Sequence, residues 1–200
     1  MGKIYYIMGK SASGKDSIFK ELKKKIPGLK DIVLYTTRPI RENETEGVEY
    51  HFVNEEFLRG MQEKKRVIEL RSYDTICGIW KYFTADDGQI DLEKFHYLAI
   101  GTLESYAAMT TYFGLENVVP IYVEVEDGLR LSRAVERERR QFNPKYTEMC
   151  RRFLADSEDF SEENLKTRGI KKRFQNVDFE ECVEEIFQYI NSISGGFHKC

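Results

Sequence analysis

Seven residues near the start of the chain, Gly9-Lys10-Ser11-Ala12-Ser13-Gly14-Lys15, have the types and spacing to hold an anion. Glycines let the backbone bend tightly, so successive N–H groups can converge on one point. A helix starting there adds the positive end of its dipole. With a lysine directly after the second glycine, the run G-x-x-x-x-G-K is a phosphate-binding pattern. Gly9, Ser11, Ala12, Ser13 and Gly14 supply the cradle, and Lys15 sits over the outer phosphates of a nucleotide. The next residue is Asp16, where such loops usually carry the Ser or Thr that ligates magnesium, and Ser17 follows one place late. We expect Asp16 to take that role, because magnesium accepts carboxylate oxygen readily. The alternative is that Asp16 only complements the helix dipole. Ser17 and Glu104 are further candidates for the metal.

Such a loop needs a strand before it and a helix after it. Ile4-Tyr5-Tyr6-Ile7-Met8 is a continuous apolar run, and Ile18, Phe19 and Leu22 recur at helical spacing behind the loop. Pro27-Gly28 stops the helix. Residues 31–35, around Ile32, Val33 and Leu34, read as a second buried strand that ends in a polar turn at Thr36-Thr37-Arg38. From 38 to about 83 the pattern changes. An acidic stretch at 42–49 precedes a short strand at 50–53, a helix capped by Asn54, and paired strands at 67–70 and 78–84, with Trp80 expected in the core. Alternation then resumes, with strands at 97–100, 118–125 and 173–177. Helices follow at 102–112, 127–140, 146–160 and 179–193. Pro120 places its end of the third of these strands at an edge or a bulge. Val183, Ile186, Phe187 and Ile190 should face inward on the last helix.

Strands alternating with helices predict an α/β fold, a parallel sheet with helices on both faces and ligands at the strand carboxyl ends. Two hundred residues suit one such domain. We expect it to span 1–193, with a core at 1–37, 85–136 and 160–193, a strand-rich insertion at 38–84, a short helical lid at about 137–159, and a flexible tail at 194–200. A net charge of −3 gives no expectation of nucleic-acid or membrane binding. Basic residues do cluster, around 38–41 and 130–152, which suits a small polyanion. The four cysteines, Cys77, Cys150, Cys182 and Cys200, lack C-x-x-C spacing and read as free thiols of a reducing compartment. With His51, His96 and His198 they make no zinc pattern. No segment reads as a signal peptide or a membrane span, so the expected location is the cytoplasm.

The run from Thr36 to Phe52, TTRPIRENETEGVEYHF, resembles the acceptor-binding motif of guanylate kinases. Arg38, Arg41, Glu44, Gly47, Tyr50 and Phe52 fall at that family's spacing, while its proline is displaced to Pro39. The resemblance implies an α/β P-loop NTPase fold with an inserted nucleoside monophosphate-binding region, and transfer of the γ-phosphate of ATP to GMP with Mg2+. Its partners are small-molecule nucleotides. It implies that Arg38, Arg41 and Tyr50 hold the GMP phosphate through charge-assisted donors, each contributing about 1.5–3 kcal/mol. Val67-Ile68-Glu69 resembles the family's apolar-apolar-Glu, whose carboxylate accepts from the guanine ring N–H and exocyclic amine. Tyr82-Phe83-Thr84 resembles Tyr-Gly-Ser/Thr, with Tyr82 on phosphate and Thr84 on the base, after about four extra residues. Arg133 and Arg137 share a helical face, and with Arg151, Ala155 and Glu158 they resemble the lid that closes over the transferring phosphate. Asn176 resembles an asparagine near the adenine.

Two departures bear on the acceptor. The family's acids on the central strand are missing from 98–104, and Leu34 replaces a serine near the base. Two readings besides GMP phosphorylation therefore stay open: a P-loop kinase for another phosphorylated acceptor, and a non-catalytic module that binds a phosphorylated peptide.

Overall fold

The computed structural model describes residues 1–42, 44–75 and 78–195. Strand β1 (Ile4–Met8) leads through the glycine-rich turn into helix α1 (Lys15–Lys25). The chain then runs through β2 (Leu29–Asp31), β3 (Tyr35–Thr36), β4 (His51–Phe52), α2 (Glu55–Glu63), β5 (Val67–Thr75) and β6 (Gly78–Ala85). It continues with β7 (His96–Gly101), α3 (Leu103–Phe113), β8 (Val118–Glu124), α4 (Asp127–Arg139), α5 (Tyr146–Asp159), α6 (Glu162–Thr167), β9 (Arg173–Gln175) and α7 (Phe179–Ser194).

Five strands form a parallel sheet in the order β2-β7-β1-β8-β9. β1 is central and fully buried because helices cover both faces, so its run is apolar throughout rather than alternating. Its side chains still divide by period two. Ile4, Tyr6 and Met8 pack with Leu103, Tyr106 and Met109 of α3 and with Leu165 of α6. Tyr5 and Ile7 pack on the other face with Ile18 and Leu22 of α1 and Val183, Ile186 and Ile190 of α7. Each such fully buried side chain contributes about 1.5–3 kcal/mol. Phe187 is only half-buried beside that cluster.

A second sheet, in the order β4-β3-β6-β5, is built from the inserted region. Its β5–β6 hairpin is antiparallel, and Phe83, Leu70 and Tyr35 on one face cover Leu58 and Met61 of α2. Asn54 caps α2 by accepting from the Phe57 N–H at 2.8 Å.

Three expectations need correction. The strand expected at 31–35 is two strands in different sheets, β2 and β3. Between them the backbone of Val33 is held by a side chain: its N–H donates to Gln89 Oε1 at 2.8 Å, and its carbonyl accepts from Gln89 Nε2 at 3.2 Å. Trp80 is half-buried on β6 opposite Tyr73, outside the clusters that form the core. The sequence reading has no element between the helix ending at 160 and the strand starting at 173, yet α6 lies there, capped by Ser161, which accepts from the Asn164 N–H. Pro120 does lie where β8 is locally an edge, because β9 pairs only with Tyr122–Glu124. Cys150 and Cys182 are free, as expected. The tail beyond Gly195, with His198 and Cys200, and also Cys77, lies outside the described residues.

Candidate active site

The glycine-rich turn stands at the carboxyl end of β1, between β7 and β8. Gly14 opens α1 at φ 85°, a left-handed conformation open to glycine at no steric cost. Ala12 also has positive φ, 63°, which costs an alanine about 1–2 kcal/mol. A Cβ on Gly9 would lie 2.5 Å from the Val123 carbonyl oxygen, so β8 closes against the loop there. Lys15 Nζ is 3.5 Å from Asp16 Oδ2, and the Asp16 side chain is 78% exposed on the first turn of α1. Ser17 is exposed as well.

Asn176, which the resemblance puts near the adenine, is 2% exposed beneath the loop, where its Nδ2 donates to the Ser13 carbonyl at 2.7 Å. A Cβ on Gly14 would meet that same nitrogen at 2.3 Å, so Gly14 and Asn176 fit only each other. Arg133 reaches the same corner. It donates to the carbonyls of Asn176 at 3.0 Å and Val177 at 3.4 Å, bracing the loop after β9.

The lid residues divide. Arg137, with Arg152 and Phe153, lines a cleft next to Ser11. Arg151 is exposed and held by Glu148 of its own helix at 2.7–2.8 Å. Arg139 and Arg140 are exposed, and Arg140 lies 4.0 Å from Glu136. The sequence reading passed over Arg130 as one more member of a basic cluster, yet it is fully buried. Its guanidinium bonds Asp127 at 3.0 Å and Ser157 Oγ at 3.3 Å, and lies 3.7 Å from the centre of the Phe153 ring. It is also 3.7 Å from Asp156, whose carboxylate accepts from the Ser11 N–H at 2.7 Å. The two lid helices thus grip the outer bend of the glycine-rich turn.

The inserted sheet gathers the other set. Arg38 is 3% exposed and fixed by Glu44, with Nη1 to Oε2 at 2.7 Å, and by the Pro39 carbonyl at 2.9 Å. It lies over the rings of Tyr50 and Phe52 at 5.1 and 5.3 Å, near Tyr82. Its Nε is buried with no protein partner among the described residues. Arg41 gives its backbone N–H to Glu44 and leaves its side chain exposed. The Arg38 guanidinium, followed by the Arg41 N–H, holds the Glu44 carboxyl down at about 2. A lowered pKa means the pair is intact above the ordinary carboxylate range and is lost as pH falls through the lowered value. We therefore expect Glu44 to stay ionised from pH 8 down to about 4 and to titrate only near 2; its carboxyl carbon shift in NMR checks this.

At the far end of the same face, Glu69 is 7% exposed and Thr84 4%. Thr84 Oγ1 donates to Glu69 Oε1 at 2.9 Å, and Ser105 Oγ donates to Oε2 at 3.3 Å. Ser105 lies in the first turn of α3, where Thr102 caps the helix, and its side chain lies beside the buried Tyr6 phenol of β1. Burial raises that phenol far above its usual range. A Cβ on Gly101 would sit 2.2 Å from the Tyr6 oxygen. A side chain at 101 therefore requires the Tyr6 phenol to move. The Ser105–Glu69 bond ties the inserted sheet to α3, next to the strand that carries the glycine-rich turn. No group of three or more His, Cys, Asp or Glu suited to a metal occurs among the described residues.

The guanylate kinase family model matches residues 1–77. The chain is 30% identical over 122 residues to a guanylate kinase of Neisseria gonorrhoeae, covering 61% of this chain and 58% of that one. It is 46% identical over 55 residues to one from Helicobacter hepaticus, covering 28% of each. The matched stretches thus span less than two thirds of these relatives. The crystal structure of guanylate kinase from Anaplasma phagocytophilum superposes with a TM-score of 0.63 at 20% identity, covering 96% of this chain and 85% of that one.

Proposed function

We propose that this chain, which matches the guanylate kinase family model over its first 77 residues and the fold of a guanylate kinase over nearly its whole length, transfers the γ-phosphate of ATP to GMP, giving ADP and GDP. The observation that carries this reading is the buried Glu69 carboxylate, read as the base contact and held by Thr84 and by Ser105, whose side chain lies beside the Tyr6 phenol of the strand that ends in the phosphate loop. The core, inserted region and lid take the boundaries expected above, and free thiols suit a cytoplasmic site.

In this reading the loop 9–15 and Lys15 bind the donor phosphates. Arg38, Arg41, Tyr50 and Tyr82 bind the acceptor phosphate, and Glu69 with Thr84 binds the base. The bond from the γ-phosphorus to the β,γ-bridging oxygen breaks, and a bond to an acceptor phosphate oxygen forms. That oxygen is already anionic, so no general base is needed. The protein's part is alignment and positive charge, supplied from above by Arg137. Magnesium would be held by Asp16, whose exposed carboxylate beside Lys15 suits an ion that keeps several waters and takes one or two carboxylates with nucleotide phosphates. When bound, it neutralises phosphate charge.

Magnesium-dependent transfer, assayed over AMP, CMP, GMP and UMP, tests the reading. GMP should be the substrate among the four; transfer to none of them, or to AMP as readily, would overturn it. Asp16→Ser should shift the magnesium titration of the rate to higher concentration, and an unmoved curve would remove Asp16 from the metal.

A further inference from the structure

The hairpin face that holds Glu69 also carries an arginine the proposed reaction does not use. Glu69, Arg71 and Tyr73 alternate onto one side of β5, opposite Thr84, Tyr82 and Trp80 of β6. Arg71 lies on the carboxylate: its Nε donates to Glu69 Oε2 at 3.0 Å, and its Nη2 to Oε1 at 3.3 Å. Thr84 already donates to Oε1 and Ser105 to Oε2. Two donors per oxygen fill the roughly four lone-pair sites that a carboxylate offers. The pair is withdrawn from water, with side chains 15% and 4% exposed.

A guanine ring reads a carboxylate by donating N1–H and one hydrogen of its 2-amine. Both need lone pairs that Arg71 holds. A purine with oxygen at C2 makes a different demand, since that oxygen accepts and can take a hydrogen bond from the guanidinium while N1–H reaches the carboxylate. A site left with a buried unpaired donor rejects a ligand strongly, so which partner Arg71 finds decides the outcome.

We infer that Arg71 is a specificity-determining residue of the acceptor site, competing with the guanine 2-amine for Glu69 and favouring a purine monophosphate with oxygen at C2. This rests on the reading of Glu69 as the base contact. It makes GMP a substrate that binds against an internal competitor.

The test is calorimetric binding of GMP, IMP and xanthosine monophosphate, without ATP, to the wild-type protein and to Arg71→Met, which keeps an apolar stem and removes the charge. The wild type should bind xanthosine monophosphate more tightly than GMP, with IMP between them. Arg71→Met should tighten GMP by about tenfold, the worth of one charge-assisted hydrogen bond, and weaken xanthosine monophosphate. The wild-type ranking stands by itself if the variant fails to fold. Tighter binding of GMP than of xanthosine monophosphate by the wild type overturns the inference, as does a ratio unmoved within about twofold by the variant. Should the ratios move as stated while no monophosphate is turned over with ATP, the inference holds and the proposed reaction falls.

Discussion

Lys15→Ala should slow phosphoryl transfer by about 10³-fold, the loss typical when one preorganised positive contact to a charged transition state is removed. Lys15 opens α1 directly after the left-handed Gly14, so its stem rises from the rim of the phosphate loop. Its side chain is 21% exposed and meets only the flexible Asp16 carboxylate at 3.5 Å among the ion pairs of the described residues. Nothing in the fold leans on it, so stability should change by no more than about 0.5 kcal/mol. Lys15→Arg should restore little, because a planar fork cannot take the place of a compact ammonium in a tight loop. Single-turnover rates beside melting curves check both halves. A rate loss under about tenfold would take Lys15 off the transferring phosphate.

Arg130→Ala should have the largest effect on stability. The guanidinium is fully buried, and its removal strips the charge partner from Asp156, whose side chain is 19% exposed. Breaking a buried pair from one side costs about 3–5 kcal/mol. Asp127, 52% exposed, can turn to water and adds little. The expected cost is therefore about 3 kcal/mol, at the lower end of that range. It should be much reduced in Arg130→Met with Asp156→Asn, where no unpaired charge remains. Urea unfolding measures both, and a loss below about 1 kcal/mol for Arg130→Ala would mean that water reaches the pair.

Legibility in the sequence followed the range of the interactions. β1, the glycine-rich turn and α1 are adjacent in the chain, and local pattern alone names all three. The same holds for the Asn54 cap and for the closing helix. The strand break at 32–34 was hidden because the group that takes the backbone bonds of Val33 is Gln89, far along the chain. Arg130 reads only as one member of a basic cluster because its companions Phe153 and Asp156 belong to the next helix. The contact of Asn176 with Ser13 joins opposite ends of the chain, so local pattern does not show it. Arg71 was within reach. Residues i and i+2 of a strand share a face, so Glu69 and Arg71 were neighbours once β5 was read as a strand.

The close fit of Tyr6 against Gly101 has a consequence for how this chain can diverge. With 2.2 Å between the phenol oxygen and the place of a missing Cβ, position 101 accepts a side chain only if the phenol moves. A descendant that regains an acid at 101 must displace or lose the phenol at 6, and so surrender its place beside Ser105. Ancestry at these two sites should therefore move in pairs, tyrosine with glycine or a smaller residue with aspartate, and mixed combinations should be selected against.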